Sequence, residues 1–286
     1  MLLVRPPAVA GRFYNIDPER LKKQISVCFD RAEKDNLTER RGGRARELKI
    51  AVVPHAGYEY SGWVAAKIYS MLDDNSPKNF IILGPNHYMF GSNFATVDRG
   101  LWKTPLGGVT VHEQMSESLL KTCNILENDF MPHQNEHSIE VQLPFLQYAL
   151  GPDIKIVPMS ITNETADDSL LNACTMIGNA IADVIKKSEE EWIVLAASDF
   201  SHYVPQKFAE EVDNYLIKSI IKLNEKMLFR RVDERNAGMC GYGAVAAAIV
   251  AAKKMGSKSG KLLKYGTTAD TTGDANSVVG YASILL

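Results

Sequence analysis

Three of the six histidines in this 286-residue chain share one setting: His55 follows LKIAVVP, His87 follows FIILGPN and His202 follows WIVLAASDFS. Each apolar run reads as a buried strand, so each imidazole sits just past a strand's end. Neutral imidazole is the commonest side-chain metal ligand near neutral pH and a ready proton carrier. Glycine and proline flank two of the three, in PHAGYEYSG and GPNH, where tight turns and close backbone approach are permitted. Cys240 lies in GMCGYG, directly before the small-residue run AVAAAIVAAKKM. A cysteine at a helix start has its thiolate favoured, and thiolate is the form that binds metal. Two imidazoles and a thiolate with open positions suit iron, copper or zinc, and the residues alone do not choose among them. Any one of these histidines alone would be read as a hydrogen-bonded loop residue, and Cys240 as a small packing residue. Their joint occurrence is what points to a site.

Two more clusters carry polar chemistry. In PHQNEHSIEVQLPFL, a helix read from Ser138 puts Ile139, Leu143 and Leu146 on an apolar stripe. It also sets His137 and Glu140 three apart at the opening turn, with Glu136 beside them. Such groups can line a site or orient a ligand, or simply cap the helix. In SDFSHY, Asp199 stands near His202 and two serines. A serine-hydrolase reading lacks the GxSxG elbow, so Asp199 is read as orienting His202 or another polar group. Neither GxxxxGK[ST] nor GxGxxG occurs, which removes phosphate-loop and dinucleotide readings.

The elements that must position these residues are legible from hydrophobic pattern. Strands are expected at Leu48–Pro54, Phe80–Leu83, Ile154–Ile161, Trp192–Ala197 and Val278–Leu285. Their continuous apolar character suggests a sheet covered on both faces. Helices are expected at 18–36, 62–72, 113–121, 138–150, 166–187, 208–224 and 243–255. The alternation predicts an α/β fold, a three-layer α/β/α single domain spanning 1–286 with a central sheet. In such sheets ligands bind outside the carboxyl ends of the strands, so parallel neighbouring strands would bring the three histidines together. Loops are expected at Thr38–Glu47 and Gly266–Ser277.

The bulk numbers narrow the function classes. With 32 basic and 34 acidic residues the formal net charge is -2, which leaves no basic footprint for nucleic acid. No apolar stretch approaches the roughly 18 residues of a membrane span. Arg5 and two prolines stand where a signal peptide would need its apolar core, so a cytoplasmic protein is expected. The cysteine spacings fit no disulfide framework or CxxC element, and Cys28 and Cys123 lie in helical sequence as packing residues.

Taken in order, RPPAVAGRFY, VPHAGYEYSG, ILGPNH, TPLGGV, NEHSIEVQLPFLQ, ASDFSHY, GMCGYG and VVGYAS resemble the Memo family over nearly the whole chain. The resemblance implies a fold with a central mixed sheet, like that of the catalytic subunit of class III extradiol ring-cleaving dioxygenases, which use non-haem Fe(II). It implies metal positions at His55, His87 and Cys240, an acid/base position at His202 with Asp199, and a further pocket histidine at His137. In the dioxygenases the third ligand is a carboxylate. Thiolate is softer and moves preference toward Cu(+) or Zn(2+), so Fe(2+) is expected from the resemblance but ring cleavage does not follow from it. Asn15 stands where the family usually has proline, and His112 where aspartate is usual. Three functions are consistent with the resemblance. One is an iron-dependent oxidoreductase acting on a small phenolic molecule. The second is an iron- or copper-handling protein. The third is a signalling adaptor that takes a phosphopeptide in the same cleft, although few arginines stand near the motifs to clamp a phosphate.

Overall fold

The structure is a computed structural model that describes residues 3–34 and 47–286. Its strands, in chain order, are β1 (Val4–Arg5), β2 (Ile50–Val53), β3 (Asn79–Pro85), β4 (Phe94–Thr96), β5 (Leu101–Thr104) and β6 (Gly107–Val111). They continue with β7 (Glu127–Asn128), β8 (Lys155–Ile161), β9 (Trp192–Ala197), β10 (His202–Val204), β11 (Lys261–Thr267) and β12 (Val278–Leu285). The helices are α1 (Pro18–Lys34), α2 (Tyr58–Tyr69), α3 (Glu113–Thr122), α4 (Leu143–Leu150) and α5 (Asp168–Lys187). After them come α6 (Gln206–Ile221), α7 (Glu225–Arg235), α8 (Tyr242–Lys254) and the short α9 (Ala269–Thr272).

The strands form one mixed sheet in the order β1-β5-β6-β8-β3-β9-β2-β12-β10, with β11 also on β12 and β4 on β8. Its centre, β8-β3-β9-β2, is parallel. Antiparallel β12 closes one side of it on β2. Side chains alternate between two cores, as the pleat requires. Ile50 and Val52 of β2 face a core with α5 and α8, while Ala51 and Val53 face one with α1, α2 and α4. Both faces of the sheet are therefore covered, which is why its strands read as continuous apolar runs.

Close helix packing depends on small residues. A Cβ on Gly178 of α5 would lie 2.3 Å from the carbonyl oxygen of Ala247 in α8, so only glycine allows this approach. The start of α5 is fixed by Asp167, whose side chain accepts the Leu170 N–H at 2.9 Å.

Several expected boundaries move for identifiable reasons. The helix expected over 138–150 begins as a 3-10 turn at Glu140–Gln142, and regular α-helix starts only at Leu143. Pro144, lacking an N–H, suits that first turn. The helix expected over 208–224 ends at Ile221, and Asn224 caps a second helix, α7, by accepting from the Met227 N–H. The charge-rich EKMLFRRVDER run hid α7 from an apolar-pattern reading. β11 was hidden likewise, and the expected loop at Gly266–Ser277 holds the end of β11 and α9. The end of the helix expected over 18–36 and most of the loop expected at Thr38–Glu47 lie outside the described residues. Cys28 and Cys123 are buried as expected, and all four cysteines are free. Among the described residues no helix is long and apolar enough to cross a membrane.

Candidate metal centre

β9 lies between β2 and β3, pairing Ala197 with Val53 and Ala196 with Leu83. His55 and Asp199 therefore leave adjacent parallel strands at the same height, each two residues past a paired position. His87 leaves β3 on the other side of β9. Ring-centroid distances are 5.3 Å for His55–His87, 5.5 Å for His55–His137 and 4.7 Å for His87–His137, the last pair stacked. A nitrogen from each of His55, His87 and His137 lies within 4.8 Å of the other two, close enough to share one ion. His137, expected only as a pocket histidine, is thus within reach of the same point as the two expected ligands.

Cys240 enters from the turn before α8. Its Sγ is 3.2 Å from His55 Nε2 and accepts the Asp199 N–H at 3.3 Å. Nitrogen at ~2.0 Å and sulfur at ~2.3 Å from one ion lie about 3.1–3.5 Å apart at ordinary ligand angles, so this contact fits a shared metal. Cys240 is not one of the three groups that lie mutually within 4.8 Å. A thiolate was expected to be favoured by the helix start, and the surroundings of Cys240 work against it. Burial pushes the thiol well above its usual value, and the Asp199 and Glu136 carboxylates add to it. A bound cation would reverse that balance, since coordination deprotonates a thiol.

Glu136 organises the other side. Its carboxylate accepts the His87 N–H at 2.8 Å and lies 2.9 Å from His87 Nδ1. It also accepts the backbone N–H groups of His137 and Ser138 at 2.8 and 2.9 Å. A carboxylate only accepts, so His87 Nδ1 carries hydrogen and the neutral ring keeps Nε2 free as a ligand. Burial alone would raise Glu136, but His87 and these donors hold it down at about 2. Burial works against charge on His87 too, and Glu136 outweighs it, leaving His87 raised. Glu140, expected on the same face, points away and pairs with Arg5. Burial and neighbouring imidazoles keep His55 well below its usual value, and burial with His87 and Arg12 lowers His137 to about 4. Both rings are therefore neutral ligand forms near neutral pH. His55 Nδ1 is buried on the ring edge opposite Nε2, so Nε2, beside Cys240, is the nitrogen that could meet an ion.

Asp199 orients His55 rather than His202: its Oδ1 accepts the His55 N–H at 2.8 Å. Burial raises Asp199 to about 6. His202 is held instead by two backbone carbonyls, of Phe200 and Gly238, each 2.8 Å from Nδ1. Both partners are acceptors, so Nδ1 carries the hydrogen and the neutral ring presents Nε2 as an acceptor. Ser198 hydrogen-bonds to the Asp199 carbonyl and the Gly241 N–H, which removes it as a nucleophile.

The imidazoles of His55, His87, His137 and His202 line one cavity of about 630 Å³, together with Phe13, Tyr60 and Tyr203. Tyr203 and Met89, which follow site histidines by one and two residues, hold positive φ values of 56° and 54°. Strained non-glycine backbone of this kind clusters at functional sites. His112 is remote from this cavity. It caps α3 and bonds to Glu190 at 2.8 Å, beside a separate groove.

These features define a class, a three-layer α/β protein with a candidate metal centre in the crevice past the carboxyl ends of its parallel strands. The chain belongs to the Memo family: the family described as Memo-like protein matches residues 5–285. A MEMO1 family protein of Methanopyrus kandleri is 42% identical over 98% of both chains. Another, of Sulfolobus acidocaldarius, is 43% identical over 99% of both. An uncharacterized protein of Escherichia coli K12 has a related fold, with TM-score 0.51 at 15% identity over 84% of this chain and 100% of that one.

Proposed function

We propose that the chain is an iron-dependent oxidoreductase that acts on a small phenolic molecule in the cavity past the strand ends. His55, His87 and Cys240 would hold the ion, with His137 in reach of it. The observation that carries the reading is one cavity lined both by the convergent imidazoles of His55, His87 and His137 and by His202, which lies outside that group of three. Bound Fe(2+) would supply redox chemistry and a Lewis-acidic anchor for a phenolic oxygen. The chain's own residues do the rest. Asp199 and Glu136 fix His55 and His87 through their backbone N–H groups. Phe13, Tyr60 and Tyr203 offer apolar ring faces to an aromatic substrate. His202 accepts the substrate's hydroxyl proton at Nε2 while Phe200 and Gly238 steady its Nδ1–H. The test is oxygen uptake by iron-loaded protein with a panel of catechols. Uptake no faster than that of the metal-free control with every catechol would remove the reading.

The Cys240–His55 contact favours a second reading, a protein that carries iron or Cu(+) without turnover. Metal content and valence of anaerobically purified protein separate the two. Cu(+) without oxygen uptake would support carriage.

A further inference from the structure

The segment that carries Glu136 and His137 is held in place by the start of the chain. Arg5 is almost wholly buried, with 1% of its side chain exposed, and pairs at 2.6 Å with Glu140, which is 0% exposed. Arg5 Nε donates to the His133 carbonyl at 2.7 Å, and Nη2 donates to the Glu136 carbonyl. Nη1 donates to Glu140 and, at 3.3 Å, to the Pro6 carbonyl. The guanidinium lies over Trp102, 4.3 Å from the ring centroid. Its fork is thus spread over the two carbonyls that bracket residues 133–136 and the carboxylate that follows them. Glu140 returns the connection by accepting the Ala8 and Val9 N–H groups and the Tyr14 hydroxyl, at 2.7, 3.1 and 2.6 Å. That anchorage brings Phe13 against His137, with ring centroids 4.7 Å apart.

We propose that Arg5 is a positioning residue for the metal centre. By holding the His133 and Glu136 carbonyls on one rigid plane, it sets the turn that aims the Glu136 carboxylate at His87 and places His137 beside it. Arg5 touches no atom of the site's imidazoles in this scheme and acts through Glu136. The inference rests on the metal-centre reading for its functional consequence, but the Arg5–Glu136–His87 linkage can be tested without metal. Lysine cannot substitute, because an ammonium is a point charge without the planar fork. It could keep the ion pair with Glu140 while losing the simultaneous grip on both carbonyls.

Two measurements on Arg5→Lys decide the matter. In the metal-free protein, nitrogen NMR of the imidazoles should show His87 in one tautomer, Nδ1–H, in wild type and in a mixture of tautomers in Arg5→Lys. Cobalt(II) affinity, followed by visible absorption, should fall about 10–100-fold, the usual cost of disturbing a group that orients a ligand. Leu228→Ala, a core truncation in α7 away from the centre, is the control for lost stability. It should lower the melting temperature yet leave both readouts at wild-type values. If Arg5→Lys does not fold, Glu140→Gln, which removes the charge that anchors Arg5, should move both readouts in the same direction. An unchanged His87 tautomer together with unchanged cobalt affinity would overturn the proposal. Wild type that binds no cobalt, iron or zinc would remove the metal-centre reading instead, and the tautomer comparison would still decide the role of Arg5.

Discussion

Glu136 engages His87 twice, accepting its backbone N–H at 2.8 Å and lying 2.9 Å from its Nδ1. One carboxylate thereby fixes both the position and the tautomer of a candidate ligand. Replacing it with an amide tests that double role. Glu136→Gln should keep the fold but weaken cobalt(II) or zinc binding by about 10–100-fold. Titration calorimetry would measure it, and wild-type affinity would show that His87 needs no orienting partner.

Cys240 is distinguished from the other cysteines by its contact with His55. Cys240→Ser should weaken soft-metal binding, Cu(+) above all, far more than Cys28→Ser or Cys123→Ser. The latter two should lower stability instead, since both thiols are buried in packed cores. Equal metal affinity across the three variants would return Cys240 to a packing role. The measurement must be made anaerobically, because air oxidises Cu(+) and metal-bound thiolate.

His202 is held by backbone carbonyls and stands apart from the three convergent imidazoles. His202→Ala should therefore retain metal and melting temperature while losing about 10²–10⁴-fold in any oxygen-dependent turnover. His55→Ala should lose metal and turnover together. Loss of metal in His202→Ala would place it among the ligands rather than at the substrate.

What the sequence made legible was the part that rests on pattern. Continuous apolar runs marked β2, β3, β8, β9 and β12, and the residues just beyond them marked His55, His87, Asp199 and His202. The rest depended on contacts across long separations. That Glu136 would hold His87 while Glu140 turned to Arg5, 135 residues away, could not follow from helical spacing. The spacing argument failed there because the 3-10 turn begins only at Glu140 and leaves His137 in the irregular chain before it, where helical spacing sets no shared face. Asp199 was similarly ambiguous, since proximity in SDFSHY favoured His202 and the register of β2 on β9 delivers it to His55.

Asp213 offers a pH test away from the metal centre. It is buried, accepts the Ser201 N–H and hydroxyl and the Tyr265 hydroxyl, and is raised by burial from 3.8 to about 6. A carboxyl raised by folding binds its proton more tightly folded than unfolded. Its contribution is therefore full below the unfolded value and is lost as pH rises through the folded one. Wild type should gain stability relative to Asp213→Asn as pH falls from about 7 to about 4.5, by about 2 kcal/mol. Urea midpoints of the two proteins at several pH values would show it. A gain in the opposite direction would mean that Ser201 and Tyr265 outweigh burial.

The left-handed backbone at Met89 and Tyr203 bears on how this protein can be improved as a material. Glycine or asparagine at either position should relax the chain, by about 1 kcal/mol each if no side-chain contact is lost. Met89 and Tyr203 are 56% and 78% exposed, so little buried contact stands against the change. A thermostability screen blind to function would select such substitutions readily. At Tyr203 the gain would strip an aromatic ring from the cavity lining, so heat tolerance and ligand retention should trade off there more steeply than at Met89.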